Sequence, residues 1–276
     1  MSNFWIYESH TPGYEVRWGI TGILHQETTP FQKLDVVETV EFGKALILDG
    51  CLQIAEKDEF IYHEMIVHIP MLSHPHPARV LIIGGGDGGT LREVVRHPEL
   101  RSVDMVEIDE QVIKASKRFF PQVASAFSDE RLNLYIADGI EFARGQQGPY
   151  DVIIVDSSDP VGPAEQLFTE KFYRDLANLL DEEGMLVVQS ESPMFYADYF
   201  QNTYKNMANV FPITQVYTAS IPTYVSGPWT FTVGSKKHRA DNIADNKTVP
   251  SSLRYYNKEI HKAAFALPEF MRQMLE

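Results

Sequence analysis

Three carboxylates carry the most chemical promise in this chain. Asp156 and Asp159 stand three apart in VDSSDPVGPAEQLF, residues 155–168, directly after the apolar run DVIIV. Asp87 sits inside the glycine-rich stretch GGGDGG at 84–89. No Lys or Arg lies between Asp156 and Gln166 to neutralise the first two. Carboxylates gathered in one crevice repel each other when it is empty and are relieved by a bound cation such as an alkylammonium. Asp159 also fits a plain Asp-Pro turn with Pro160. Gly84, Gly86 and Gly89 satisfy G-x-G-x-x-G between an apolar run, RVLIIG, and a helical pattern, TLREVVRH. Such a loop brings backbone close to a nucleotide, and the extra Gly85 adds to that freedom. Glu107 ends the next apolar run, where a carboxylate can accept ribose hydroxyls. Asp138 and Gly139 end the third and could meet an adenine edge. A pyrophosphate wants N–H donors without a neighbouring anion. Asp87 therefore favours a positively charged nucleoside, such as an adenosyl sulfonium, unless it is merely solvated.

Other chemistries are disfavoured. His63 and His68 in YHEMIVH are five apart, about 140° around a helix, so they cannot share a zinc ion as residues four apart can. His63 is better read as a neutral polar contact or a core histidine. No Cys/His cluster suggests structural zinc, and no metal is expected. The phosphate loop G-x-x-x-x-G-K-[ST] and the hydrolase elbow G-x-S-x-G are both absent.

The elements that must position these residues fall into two rhythms. Up to residue 70, short runs such as YEVRWGIT, FQKLDVVETVEF, ALILDG and CLQIAE predict an antiparallel β-domain, with Asp49-Gly50 as a hairpin turn. A connecting helix follows in KDEFIYHEMIVHIPML, with Asp58 as its N-cap. From 71 to 276, apolar runs alternate with helical patterns, which predicts a Rossmann-like α/β domain with a mostly parallel sheet. ITQVYTASI and PWTFTVGSK resemble closing strands, 236–252 a surface loop, and HKAAFALPEFMRQMLE a docked helical end. The chain of 276 residues carries 24 Lys plus Arg against 38 Asp plus Glu, a formal net charge of −14. That balance argues against nucleic acid and anionic membrane as partners. Neither a membrane span nor a secretory signal is expected. Cys51 is the only cysteine, which fits a reducing cytoplasm.

With these residues in view, the chain resembles the polyamine aminopropyltransferases, among them the bacterial spermidine synthases. The segments that carry the likeness span the chain: FQKLDVVET, LILDG, KDEFIYHEM, HP-x-P, GGGDGG, VEID, ADG, VDSSDPVGPAEQLF and IPTYVSGPWTFT. The resemblance implies a small β-domain before a Rossmann domain of the S-adenosylmethionine-methyltransferase type. It implies decarboxylated S-adenosylmethionine as co-substrate, putrescine as acceptor, and spermidine and 5′-methylthioadenosine as products. Gln32, Glu107, Asp138, Gly139 and Pro163 would contact the nucleoside, with Gly84, Gly85, Gly86 and Asp87 beneath it. His63, Asp87 and Asp159 would hold the amine chains, flanked by Ser157, Ser158 and Trp229. Asp156 would be the proton acceptor, with Tyr62 and Tyr224 beside it. A homodimer or homotetramer is implied. Val225 and Met194 depart from the family pattern, which leaves the acceptor pocket's outline open. Agmatine, cadaverine or spermidine as acceptor, a methyltransferase and a non-catalytic polyamine sensor are the competing readings.

Overall fold

The computed structural model describes residues 4–145, 148–158, 166–224 and 227–276. Five strands open the chain: β1 (Phe4–Thr11), β2 (Tyr14–Thr28), β3 (Lys33–Thr39), β4 (Gly43–Leu48) and β5 (Cys51–Ala55). They pair antiparallel in sequence order. Between β4 and β5, Asp49 and Gly50 have φ of 47° and 87°, the left-handed pair that a tight hairpin turn requires. β1 is not anticipated by the sequence reading. In FWIYESHT the aromatic residues Phe4, Trp5 and Tyr7 are exposed while Glu8 is buried, so its alternation runs opposite to a half-buried strand.

The helix α1 (Glu59–Ser73) buries almost every side chain, because it packs on the larger sheet and is covered by later chain, Glu64 accepting the N–H groups of Arg254, Tyr255 and Tyr256. Asp58 stands at its N-cap position but does not cap it; its Oδ2 instead accepts the Thr223 N–H at 2.8 Å. Met65, Ile66 and Ile69 pack with Val80, Ile82 and Val152 of the larger sheet. The expected boundary at residue 70 therefore falls inside one continuous helix, and that helix shares its core with the larger sheet.

The remainder of the chain alternates as expected: β6 (Arg79–Gly84), α2 (Gly89–Val94), β7 (Ser102–Glu107), α3 (Glu110–Phe119), β8 (Leu132–Ile136), α4 (Gly139–Gly145) and β9 (Tyr150–Asp156). α5 (Glu170–Leu179), β10 (Leu180–Gln189), α6 (Ala197–Ala208), β11 (Ile213–Ala219) and β12 (Trp229–Ser235) complete it. The sheet order is β11-β12-β10-β9-β6-β7-β8, parallel from β10 to β8 and antiparallel at β12 and β11. The C-terminal pattern divides into α7 (Lys258–Ala263) and α8 (Glu269–Met274), with Pro268 at the start of the latter. Ile82, Ile153 and Leu186 are fully buried among the central strands. Trimming one of them to Ala should cost about 2–5 kcal/mol. This rigid sheet brings Gly84, Glu107 and Asp156 to one edge, at the carboxyl ends of β6, β7 and β9.

Candidate active site

A cavity of about 360 Å³ opens over that edge and is roofed by the small sheet through Gln32, Leu48 and Leu52. Gly84 makes its floor possible. It has φ of 84°, and a Cβ there would stand 2.1 Å from the Asp156 carbonyl oxygen. The next amide, Gly85 N–H, donates to that carbonyl at 2.8 Å, which fixes the glycine loop to the end of β9.

One wall of the cavity, around Glu107 and Asp138, is built from carboxylates pinned by backbone amides. Glu107 Oε2 accepts the Gly86 N–H at 3.1 Å, and Oε1 accepts the Asp109 N–H at 2.8 Å. Burial, with Asp109 beside it, outweighs these bonds and raises the Glu107 carboxyl to about 7. Asp138 Oδ1 accepts the Ile140 N–H at 2.7 Å, next to Gly139 in the same wall. Gln32 also lines the cavity; its Nε2 donates to Asp109 Oδ2 at 3.0 Å, and Thr29 Oγ1 donates to the same oxygen at 2.7 Å. Asp109 thus ties the small sheet to the Glu107 wall.

The wall around Asp156 is built from side chains that meet across the fold. Tyr62 donates its hydroxyl to Asp156 Oδ1 at 2.8 Å, and Thr90 donates to Asp156 Oδ2 at 2.6 Å. Burial and the neighbouring Asp87 charge raise the Asp156 carboxyl above the ordinary range. Burial, then Asp156, raises the Tyr62 phenol well above its usual value, so it acts as a neutral donor. Asp87 Oδ1 accepts the Gly89 N–H at 2.7 Å and lies 3.2 Å from His63 Nε2.

His63 corrects the sequence reading of a neutral ring. It is fully buried, with Nδ1 2.6 Å from Glu59 Oε2. Burial alone would lower its pKa, but Asp87 and Glu59 flank both nitrogens and raise it to about 10. Glu59 would be raised by burial, yet His63 and Arg92 bring it down to about 2. The Arg92 guanidinium forks onto both Glu59 oxygens at 3.0 and 2.9 Å. His63 is therefore an imidazolium, and the ring lies against Gly89, where a Cβ would come within 2.2 Å.

Ser157, Ser158 and Trp229 line the same cavity. Ser157 Oγ and Trp229 Nε1 are buried without a hydrogen-bond partner among the described residues. Tyr224 is in the wall too, but its hydroxyl donates to the Gln53 carbonyl at 2.5 Å, and its ring centroid is 5.9 Å from that of Tyr62. Met194 is 62% exposed. Asp159, Pro163 and Val225 lie outside the described residues. Sequence reasoning missed Glu59, Thr90, Glu8 and Glu191. The last two line the far end of the cavity, and Glu191, fully buried, has φ of 64°. That backbone conformation is costly for a glutamate and is found where structure around it serves a site. Glu59 had a readable signal, four residues before His63 on one helix.

His63, Asp87 and Asp156 bring possible metal-ligand atoms within 4.8 Å of one another. A protonated imidazolium has no lone pair to offer, so in that state only the two carboxylates present ligand atoms. His74, Asp151 and Asp181 form a second such group, distinct from the cavity wall. There, His74 Nδ1 accepts the His76 N–H at 3.1 Å, which leaves the proton of the neutral ring on Nε2.

The fold and this cavity are those of a transferase family. Residues 59–245 match the spermine/spermidine synthase domain, and residues 4–56 match the spermidine synthase tetramerisation domain. The polyamine aminopropyltransferase of Bacillus mycoides (strain KBAB4) is 46% identical over 272 residues, 99% of each chain. That of Bacillus subtilis (strain 168) is 44% identical over 276 residues, all of both chains. A crystal structure of spermidine synthase in complex with the transition state analogue AdoDATO superposes with a TM-score of 0.94 at 38% identity, covering 100% of this chain and 96% of that one. Spermidine synthase from Thermotoga maritima gives 0.91 at 37% identity, covering 100% and 95%. The chain belongs to the spermine/spermidine synthase family and is an aminopropyltransferase.

Proposed function

We propose that the protein is a spermidine synthase, which moves the aminopropyl group of decarboxylated S-adenosylmethionine onto putrescine. The observation that carries this reading is the single cavity whose one end presents ribose-type acceptors and whose other end presents Asp87 and Asp156. Glu107, Asp138, Gly139 and Gln32 hold the nucleoside, with Gly84, Gly85 and Gly86 as its floor. His63, Asp87, Ser157, Ser158 and Trp229 surround the amines; Asp159 and Pro163, outside the described residues, are assigned to the amine and the nucleoside by family resemblance. The putrescine nitrogen attacks the aminopropyl carbon next to the sulfonium. The C–N bond forms as the C–S bond breaks, and 5′-methylthioadenosine leaves as a neutral thioether. The proton shed by the nitrogen goes to Asp156, which Tyr62 orients and Tyr224 helps enclose. A neutral leaving group needs no metal and no prosthetic group. A free alkylamine has a pKa of ~10.4, so at neutral pH removing its proton costs roughly 4–5 kcal/mol, and a base raised by burial and by Asp87 narrows that gap.

Asp87 also favours the decarboxylated donor, since a carboxylate on the donor's tail would meet its charge. The single cysteine, Cys51, suits the cytoplasmic residence that belongs to this reading. A homodimer or homotetramer would cover Phe4, Trp5 and Tyr7 of the small sheet, all more than half exposed. The test supplies decarboxylated and intact S-adenosylmethionine, each with putrescine, agmatine, cadaverine and spermidine, and follows product masses. Spermidine and methylthioadenosine should dominate from the first pairing. Faster turnover with another amine, or methyl transfer from the intact donor, would replace this reading.

A further inference from the structure

Among the described residues the proposed base has two side-chain hydrogen-bond donors, and only one of them, Tyr62, has a role in the proposed reaction so far. The other is Thr90, the second residue of α2, fully buried and immediately behind the glycine loop. Inside a helix a threonine hydroxyl commonly bonds back to the carbonyl three or four residues earlier, but at the second residue of α2 no earlier helical turn is there to accept it. Thr90 instead reaches a carboxylate 66 residues away, at 2.6 Å, the short distance typical of a neutral hydroxyl on an anion.

We propose that Thr90 is a positioning residue for the reaction: with Tyr62 it clamps the Asp156 carboxylate in one plane and holds it ionised. The geometry gives three reasons. First, the donors hold different oxygens, Tyr62 on Oδ1 from α1 and Thr90 on Oδ2 from α2. One donor would leave the carboxylate free to turn about its Cβ–Cγ bond, whereas two from separate elements stop that rotation. Second, each carboxylate oxygen has a further lone pair for the incoming amine. The absence of a side chain at Gly85, where a Cβ would stand 3.0 Å from Oδ2, leaves space beside the clamped oxygen. Third, a hydroxyl is donor and acceptor alike. When the amine proton reaches Asp156, Thr90 can reverse its role and keep the contact.

The charge balance explains why a second clamp matters. Asp87 of the glycine loop faces Asp156, as do Tyr62 and His63 from α1. Glu107 and Asp138 line the nucleoside end of the same cavity, and Glu8 and Glu191 its far end. Burial and Asp87 favour a protonated, idle Asp156; His63, Thr90 and Tyr62 oppose them. Bonds that are stronger to the ionised form lower a carboxyl's pKa, so removing one raises it.

The inference rests on Asp156 as the proton acceptor, and Asp156→Asn is the control for that. The test compares Thr90→Val, which keeps the shape and drops the hydroxyl, with Thr90→Ser, which keeps the hydroxyl. Thr90→Val should lower kcat roughly tenfold while the KM for amine moves less than about twofold. Its acid limb in the kcat–pH profile should shift upward by about half a unit to one unit. Thr90→Ser should restore both. A Thr90→Val profile that overlays wild type, or a Thr90→Ser enzyme as impaired as Thr90→Val with an equal loss of melting temperature, overturns the inference. Turnover that survives in Asp156→Asn sinks the proton-acceptor reading itself, whatever Thr90 does.

Discussion

The two ends of the cavity are assembled by different means. At the nucleoside end, Glu107 and Asp138 are held by backbone amides within a few residues or on the neighbouring strand end. At the amine end, the side chains hold each other: Tyr62 and Thr90 on Asp156, and Glu59 and Asp87 on His63. A backbone-built wall is as rigid as the sheet beneath it and recognises a ligand of fixed shape. A wall of coupled charges can instead redistribute protons when a cation enters and a proton must leave. Under the proposed function the division matches the two tasks, since the nucleoside would keep its structure through transfer while the amine would lose a proton.

If that contrast holds, the largest effect belongs to the amine end. Asp156→Asn should lower kcat by about 10²–10⁴-fold, the range of a lost general base, with donor affinity little changed in calorimetry. Turnover close to wild type would falsify the role assigned to Asp156. Next comes Glu59→Gln, which leaves His63 and Arg92 buried without their shared carboxylate and should cost roughly 3–5 kcal/mol in chemical denaturation. Its pH dependence follows from the shifts. His63, raised to about 10, contributes stability that is complete below the unfolded value of 6.5 and is lost as pH rises through 10. Glu59, lowered to about 2, contributes stability that is complete above 4.5 and is lost as pH falls through 2. Wild type should therefore gain most from the pair between pH 4.5 and 6.5 and weaken towards pH 10; in the variant only Asp87 still raises His63, so the decline should be smaller and begin at lower pH. An identical decline in both would remove Glu59 as a source of the His63 shift. At the nucleoside end, Glu107→Gln should weaken donor binding about tenfold and leave the amine KM within about twofold. Equal losses for both substrates would erase the distinction between the two walls.

The same contrast decides what could be read in the sequence. Gly84, Glu107, Asp138 and Asp156 each end an apolar strand, and in a parallel sheet strand ends converge, so their gathering follows from local pattern. The partners of the amine end do not. Tyr62 lies 94 residues from Asp156 and Thr90 lies 66, separations that only tertiary packing closes. The charge of His63 was missed for the same reason. Its value depends on Asp87 arriving from another element while Glu59 and Arg92 lock the opposite face. Strand β1 was missed because its buried Glu8 and exposed aromatics invert the usual alternation, and Glu8 is turned inward to line the far end of the cavity. Burying a carboxylate there is unfavourable unless it is satisfied, and Trp18 Nε1 and the Leu52 N–H donate to it at 3.0 and 3.2 Å.

The smallest effect separates two tyrosines that family resemblance treats alike. Tyr62 gives its proton to Asp156, so Tyr62→Phe removes a donor from the carboxylate that must be aimed. Tyr224 gives its proton to the Gln53 carbonyl of β5, so Tyr224→Phe removes a bond between the small sheet and the wall. The aromatic packing of Tyr224 on Trp229, with centroids 4.6 Å apart, is untouched by that change. A ring that keeps its place still shapes the cavity, and an ordinary hydrogen bond contributes about 1 kcal/mol. Tyr224→Phe should therefore lose about twofold to threefold in kcat, with an unaltered pH profile, against about tenfold and a raised acid limb for Tyr62→Phe. Equal losses and equal pH shifts would mean that both hydroxyls reach the reacting proton, and that the amine end extends across the sheet junction to β5.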